Sequence, residues 1–336
     1  MYQTLFKGTI FFSLLILTFL FNACSPPLPK EESQKHLRAF DNEMIQLFNR
    51  VGNTEAMRSL ISLYKINEVP LPLFSFTGVD TITGYQTYDF QKSKGVYYFQ
   101  ADLNRLVKRG ESDSVIILFP FKSRYDSLIR FVLSDYGETS TALQMMFPER
   151  LHATLYAGST MLLKMNFQAT IKHGMPAKIL WHLVFADYNL RLSMKTRFMR
   201  TKGVTKVSLV MKESNKPVLN GDITTEVIVT DNNTLVFNKK KIDVEVYPIK
   251  IRLQSDYSFL EGKPSDFFSE FNRNSSFKIY NKSNRLMGDI KFTRLDGLDR
   301  VNLMFIYPDG SVENLEDMLL VARTILNMKI VNTNKF

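Results

Sequence analysis

The stretch MLLKMNFQATIK, residues 161–172, alternates apolar and polar side chains along its length. Its odd-numbered residues, from Met161 to Ile171, are all apolar, whereas all but one of its even-numbered residues are polar. Side chains of a strand point alternately to the two faces of a sheet. The period therefore predicts a strand with one buried and one solvated face.

The same period extends beyond this stretch. Residues 173–176, HGMP, predict a turn, after which apolar residues recur at every second position from Ile179 to Phe185. A further alternation covers 190–198, and later strands are expected at Val204 to Met211, Asp222 to Thr230 and Lys241 to Leu253. Short polar links between long alternating segments favour antiparallel neighbours. We expect one large antiparallel, curved sheet.

Weaker strand patterns flank this region. Before it, strands are expected at residues 84–90, 96–100, 114–121 and 127–134, and after it at 276–280, 288–293 and 300–307. Residues 265–273 predict a short helix. The tail is interpreted either as a small α+β unit or as the closing edge of the main sheet.

Helical periodicity appears near both ends of the body. Apolar residues from Leu37 to Val51 recur at helical spacing, which predicts an amphipathic helix over residues 34–51. Gly52-Asn53-Thr54 breaks it and offers a cap for a second helix ending near Tyr64. Packing on the chain's own sheet is favoured over a partner groove. A last helix is expected from about 314 to 328.

Composition excludes several classes of protein. The 336 residues hold 43 Lys and Arg against 33 Asp and Glu, with 45% hydrophobic residues and one cysteine. This composition argues against a disordered chain, and the length suggests about two domains. A single cysteine excludes an intramolecular disulfide framework and sites with several thiolate ligands.

The amino-terminal residues have the order of a secretion signal. Lys7 precedes an apolar run from Ile10 to Phe21, and no acidic residue occurs before Glu31. Twelve helical residues span about 18 Å, well short of the roughly 30 Å hydrocarbon core of a bilayer. The run therefore predicts a signal peptide rather than a membrane span, with cleavage giving residues 1–23 as the leader.

Residues 20–25, LFNACS, follow this run and resemble the lipobox of bacterial lipoproteins in a relaxed, Bacteroidota-type form. The resemblance covers residues 1–24 and implies that Cys24 carries a diacylglycerol and becomes the first mature residue. Two or three acyl chains would anchor the protein stably, since one chain binds only marginally. The alternative is an incidental cysteine beside an ordinary signal peptide.

Residues 24–33 are predicted to form a lipidated, proline-rich flexible tether. The Lys30-Glu31-Glu32 triplet within it resembles acidic export signals of some Bacteroidota lipoproteins. We expect an outer-membrane location and leave the periplasmic and surface faces open. The remaining chain divides into a helical pair (34–68), a main antiparallel β domain (69–261) and a C-terminal α+β subdomain (262–336).

Reaction signatures are absent from the sequence. It contains no G-x-S-x-G, H-E-x-x-H, Walker A or G-x-G-x-x-G motif. It has four histidines, His36, His152, His173 and His182, and the two in strand-like segments, His152 and His182, lack carboxylates at ligand spacing. We therefore assign no catalytic residue, no metal site and no cofactor.

Methionine and phenylalanine recur on the central strands and suggest an apolar binding surface. Such side chains adapt to irregular apolar ligands such as acyl chains. The alternative interpretation is a hydrophobic core covered by the N-terminal helices. The candidate residues are Met161, Met165, Phe167, Trp181, Phe185, Met194 and Phe198.

Basic residues suggest a second surface. Arg191, Lys195 and Arg197 share one face of a predicted strand, and Lys239, Lys240 and Lys241 are expected in a hairpin. Outside the cytoplasm, phospholipid head groups, lipopolysaccharide phosphates or acidic polysaccharide are the expected anionic partners, rather than nucleic acid. An ordinary solvated face is the alternative.

The predicted fold is α+β and β-rich, with a large half-barrel-like sheet, two N-terminal helices and a C-terminal helix. This architecture is similar to the open half-barrels of bacterial lipoprotein carriers and lipid-binding lipoproteins. We expect a membrane-anchored envelope lipoprotein with a non-enzymatic binding or assembly role toward a lipid or an envelope protein. A surface-exposed hydrolase or glycan-processing protein, and a structural subunit of an envelope complex, are the alternatives.

Overall fold

The computed structural model describes residues 26–72, 88–121, 128–141, 146–172, 174–199, 202–229, 235–262, 266–294 and 301–324. Within these ranges the chain forms sixteen strands, five α-helices and a further helical segment at residues 320–324. The strands are β1 (Gly95–Gln100), β2 (Arg105–Gly110), β3 (Val115–Pro120), β4 (Leu128–Ser140), β5 (Met146–Ala157), β6 (Thr160–Lys172), β7 (Met175–Phe185), β8 (Tyr188–Met199), β9 (Lys202–Glu213), β10 (Lys216–Val229), β11 (Leu235–Val246), β12 (Ile249–Asp256), β13 (Ser275–Asn281), β14 (Leu286–Arg294), β15 (Val301–Ile306) and β16 (Val312–Asn314). The helices are α1 (Lys30–Gly52), α2 (Glu55–Tyr64), α3 (Phe90–Ser93), α4 (Phe267–Arg273) and α5 (Leu315–Met318).

All sixteen strands lie in one curved, unclosed sheet, which confirms the predicted fold class. From β3 to β16 each strand pairs antiparallel with the next along the chain, and β1 inserts between β2 and β3, parallel to β3. Short hairpins explain this order. At the β9–β10 turn, Ser214 and Asn215 both have positive φ, as in the two-residue turns that match strand twist.

Two predicted strands differ from the structure. Residues 241–253, expected as one strand, form parts of β11 and β12 because Tyr247 and Pro248 separate them. Proline has no N–H to donate to a ladder, so it interrupts the pairing. The strand expected at 84–90 is also wrong at its described end, where α3 begins at Phe90; residues 84–87 lie outside the described residues.

Strands from the predicted main domain and from the predicted C-terminal subdomain belong to the same sheet. The predicted strands at 276–280, 288–293 and 300–307 correspond to β13, β14 and β15. They extend the sheet by direct antiparallel pairing of β12 with β13. The strands of the C-terminal tail therefore form one edge of the main sheet, as the second interpretation expects.

Helices α1 and α2 pack on the same face of this sheet, which we call the inner face; the opposite face is the outer face. Under α2, Ala56 and Leu63 join Phe131, Ala153 and Leu155 in a first core. Under α1, a second core contains Leu37, Phe40, Ile249, Ile279, Met287 and Phe305. The two predicted helices thus bury their apolar stripes against the inner face of the sheet.

Glutamates of the sheet hold α1 at both ends. At its C-terminal end, the Glu213 carboxylate accepts hydrogen bonds from the Arg50 guanidinium at 2.9 and 3.0 Å and from the Tyr188 hydroxyl at 2.6 Å. The Arg50 bond, followed by that of Tyr188, lowers the pKa of Glu213. Both partners favour the ionised carboxylate.

At the N-terminal end of α1, Glu313 has the same role. It accepts hydrogen bonds from Gln34 at 2.9 Å and from the Tyr307 hydroxyl at 2.8 Å, and it lies 2.8 Å from the Lys30 ammonium. Lys30 contributes most to lowering the pKa of Glu313. The two glutamates fix the direction in which α1 crosses the inner face.

The predicted flexible tether is docked over its described part. Leu28 is buried in the second core, and its N–H donates to the carbonyl of Leu286 at 2.8 Å. The Arg285 guanidinium donates to the carbonyl of Pro26. The prediction was wrong here because it weighed the prolines and not the single apolar residue between them.

The predicted C-terminal helix is interrupted. Helix α5 ends at Met318, Leu319 is extended, and residues 320–324 are helical again; residues 325–328 lie outside the described part. The Asp41 carboxylate on α1 accepts the N–H groups of Leu320 and Val321 at 3.1 and 2.9 Å. It caps the second helical segment, which has no cap of its own at Leu319.

Candidate apolar binding site

Cross-strand register builds a continuous apolar surface on the inner face. Phe167 of β6 lies opposite Trp181 of β7, which lies opposite Leu192 of β8. In the next row Ile179 and Met194 are directly opposite, and Val207 and Ile223 continue the row onto β9 and β10. Residues directly opposite one another in antiparallel strands share a face. These side chains are half-buried, so this part of the inner face is incompletely covered by the described helices.

Between α2 and the inner face of β4–β7 lies a cavity of about 380 Å³. Every side chain that lines it is aliphatic, aromatic or a thioether. The lining residues are Met57, Leu60, Ile61, Tyr64, Leu71, Pro72, Phe131, Leu133, Leu151, Ala153, Leu163, Met165, Trp181 and Leu183. The volume falls within the range of small-molecule sites, about 300–1,000 Å³.

Helix α2 forms one wall of this cavity because its start is fixed. The Thr54 side chain accepts the N–H of Met57, and the Thr54 hydroxyl donates to the carbonyl of Val51 at 2.7 Å. This cap turns the chain directly from α1 into α2. Ile61 and Tyr64 are each more than half exposed, so the cavity opens to solvent beside α2.

A tyrosine pair positions the wall formed by Leu71 and Pro72. The Tyr88 hydroxyl donates to the carbonyl of Pro70 at 2.8 Å, while Glu138 accepts the N–H of Tyr88 and the hydroxyl of Tyr136. Burial raises the pKa of Tyr88 to about 12 and also raises the pKa of Tyr136. Both hydroxyls are protonated donors at neutral pH, and the raised pKa extends this state to more alkaline pH. The Tyr88 hydroxyl holds the wall through Pro70, and Tyr136 is itself part of the first core.

Two of the seven candidate apolar residues, Met165 and Trp181, line the cavity. Phe167 continues the inner face next to it, with its ring 6.3 Å from that of Phe147. Met194 and Phe198 lie farther along the same face on β8. Met165, Phe167, Trp181 and Met194 form one continuous surface, and Phe198 lies beyond Thr196 on the same face.

The other two candidates are not part of that surface. Phe185 is buried in the first core, where its ring stacks on Tyr188 at 5.2 Å. Met161 is 51% exposed at the start of β6, beside a register shift, and lines none of the described cavities. Strict alternation misplaced Met161 because it assumed a regular strand as far as the turn.

Several lining residues were missed by the sequence reasoning. Leu133 comes from β4, of which residues 128–134 were predicted as a strand, whereas Leu151 and Ala153 come from β5, for which no strand range was predicted. Two register shifts between these strands, near Leu133 and Gly137, blur the period. The inward positions of β5 still alternate as Leu151, Ala153 and Leu155, and this signal was available.

The basic candidates occupy both faces of the sheet. Arg191, Lys195 and Arg197 are exposed on the outer face of β8, as predicted. Residues 239–241 lie within β11 rather than in a hairpin, so the hairpin prediction was wrong. Lys239 and Lys241 point to the outer face, whereas Lys240 lies opposite Thr225 on the inner face.

Two of the three described histidines have amide partners. His152 bonds to Asn166, and His182 Nε2 lies 3.0 Å from Asn189 Oδ1. Among the residues that the structure describes, no group of three or more His, Cys, Asp or Glu side chains is arranged to hold a metal ion. His173 lies outside these residues.

The predicted leader and Cys24 also lie outside the described residues, so their assignment stays a prediction. Of the described helices, none combines the length and the apolar content needed to cross a bilayer. Comparison of the chain with protein-family models, with curated proteins and with solved structures finds no match.

Proposed function

We propose that the chain is a membrane-anchored envelope lipoprotein that binds an apolar, acyl-chain ligand on the inner face of its sheet. The observation that carries the proposal is the wholly apolar lining of the cavity beneath α2. A cavity lined in this way offers no polar partners for water, so water gains little by entering. An acyl chain would make dispersion contacts with the lining side chains and bury its own apolar surface.

The shape of the surface supports a long ligand rather than a compact one. The cavity continues through Trp181 to Leu192 and Met194, which are half-buried on β8. A chain that begins beneath α2 can therefore extend across the sheet along directly opposite side chains. Methionine side chains along this track accommodate irregular apolar shapes.

The test is titration of the protein, expressed from Pro26 onward, with a fluorescent fatty acid. All described elements and both cores are retained in this chain. Ala153→Leu adds three carbons inside the cavity, where Ala153 is fully buried. Excluding two ligand methylenes costs about 1.6 kcal/mol, or about tenfold in affinity.

Ala39→Leu is the matched control, because Ala39 is exposed on α1 and outside the cavity. Saturable binding that weakens in Ala153→Leu and not in Ala39→Leu supports the proposal. Absence of saturable binding, or equal affinities in all three proteins, refutes it.

The anchor is tested separately through Cys24. We expect mass spectrometry of the mature protein to find diacylglycerol on Cys24, and Cys24→Ala to release the protein from salt-washed membranes. The salt wash removes proteins held only by surface charge. An unmodified Cys24, or retention of the variant after washing, contradicts this part of the proposal.

A further inference from the structure

The net charge of the chain is concentrated in four strands. Residues 160–212, from the start of β6 to the last but one residue of β9, contain ten Lys or Arg and a single acidic residue, Asp187. Glu213, the last residue of β9, lies on the inner face, where it binds Arg50. The rest of the chain has 33 basic and 32 acidic residues, so this segment carries +9 of the total +10. The basic residues are Lys164, Lys172, Lys178, Arg191, Lys195, Arg197, Arg200, Lys202, Lys206 and Lys212.

The fold places these charges on one surface. Nine of the ten lie in described strands, and the alternation of β6–β9 directs all nine to the outer face, opposite Trp181 and Met194. Lys178 lies directly opposite Lys195, which lies directly opposite Lys206. Asp187 is in the β7–β8 turn. The described outer face of β6–β9 thus has basic residues and no acidic residue.

This arrangement is costly for folding unless an anion occupies it. Like charges directly opposite in neighbouring strands destabilise a sheet. None of the nine described side chains has a carboxylate within 4.0 Å among the described residues. On β11 and β12, which lie beyond β10, basic residues do have a carboxylate partner, because Asp243 lies 3.1 Å from Lys241 and 3.2 Å from Arg252.

We propose that the outer face of β6–β9 docks on a bilayer surface that carries anionic phospholipids. The charges spread in two dimensions: four strands span about 14 Å, and Lys202 to Lys212 on β9 spans about 34 Å. A flat anionic membrane surface can contact the basic side chains of several strands at once. A linear polyanion can contact only one line of these side chains at a time. Leu180 and Met199 stand among these charges, 40% and 61% exposed. Apolar side chains between lysines suit the interface of a bilayer.

The experiment measures binding of the chain from Pro26 onward to vesicles of phosphatidylcholine with and without phosphatidylglycerol. The test variant is Lys178→Gln, Lys195→Gln and Lys206→Gln together. The control removes the same charge from three exposed lysines elsewhere, Lys35, Lys65 and Lys92, each changed to Gln. A third variant changes the three test lysines to Arg and keeps their charge.

We expect binding that requires phosphatidylglycerol and weakens as salt rises. Each lysine contributes about fivefold in affinity, so the test variant loses on the order of 100-fold. The control and the Arg variant bind like the unmodified protein. The Arg variant separates a loss of charge from a change in the sheet.

Three results would overturn the proposal: equal binding to neutral vesicles, an equal loss in the control, or binding of a soluble acidic polysaccharide by a protein that leaves anionic vesicles unbound. Fatty-acid binding in the Gln variant is measured in parallel. Because it depends on the inner face, its persistence or loss distinguishes failure of this proposal from failure of the proposed function.

Discussion

Replacing Leu37 by Ala tests how α1 stabilises the fold. Leu37 is 0% exposed, and its core neighbours Met287 and Phe305 are also 0% exposed. The walls of the resulting cavity therefore have little freedom to collapse. Leu→Ala changes at such sites cost about 3–5 kcal/mol. We expect the free energy of unfolding to fall by this amount, a large share of the stability of an ordinary domain.

Phe48→Ala on the same helix is the control. Phe48 is 54% exposed, so the expected change in the free energy of unfolding is within about 0.5 kcal/mol. Urea denaturation gives both values from the transition midpoint, provided that the slope of the transition is unchanged. Equal losses in the two variants would refute the packing of α1 on the inner face.

Two further predictions concern the close packing at Gly288 on β14 and the stability of the fold at acidic pH. A Cβ at Gly288 would lie 2.5 Å from the Ile306 carbonyl oxygen, so Gly288→Ala should destabilise by about 1–3 kcal/mol in the same denaturation assay, whereas Gly52→Ala, with open space around it, should not. The pKa values of Glu213 and Glu313 are lowered on folding, so their stabilisation is present above the unfolded-state pKa and lost as pH falls through the folded-state pKa. On going from neutral to acidic pH, the melting temperature should therefore fall less in a variant with Gln at both positions than in the unmodified protein. An equal fall in the two proteins would contradict this prediction.

The sequence predicted the elements whose period is regular. The alternation from Met161 to Ile171 and the helical spacing from Leu37 to Val51 each correspond to an observed element. In both cases one face is buried over several turns or residue pairs, so burial imposes the period on the sequence. The large antiparallel sheet followed from these strong patterns and the short links between them.

Other features depend on contacts between residues far apart in the chain. Leu28 docks on β14, and Asp41 interrupts the C-terminal helix by capping its second part. Neither contact leaves a local pattern. The cavity is similar, since Ala153 and Leu60 meet only after β5 and α2 are packed. Methionine and tryptophan on β6 and β7 indicated an apolar surface, but not the space above it.

The concentration of charge on β6–β9 was predicted only in part. The sequence indicated the basic face of β8, with Arg191, Lys195 and Arg197, and the adjacent lysines 239–241, but not the basic residues of β6 and β7. In a strand, adjacent residues point to opposite faces, so charges that share a face are spaced by two. Register then joins Lys178, Lys195 and Lys206 from three strands. Counting charge over four strands at once would have predicted how far the basic surface extends.

The most direct test of acyl-chain binding uses Trp181, the only tryptophan of the chain, which lines the cavity. Bromine on an acyl chain quenches tryptophan fluorescence at short range, so the signal reports occupancy of this site without any substitution. We predict saturable quenching by a brominated fatty acid, reversed by an excess of the unbrominated acid and weakened in Ala153→Leu. Quenching that rises linearly without saturation, or that the unbrominated acid leaves unchanged, would contradict the account.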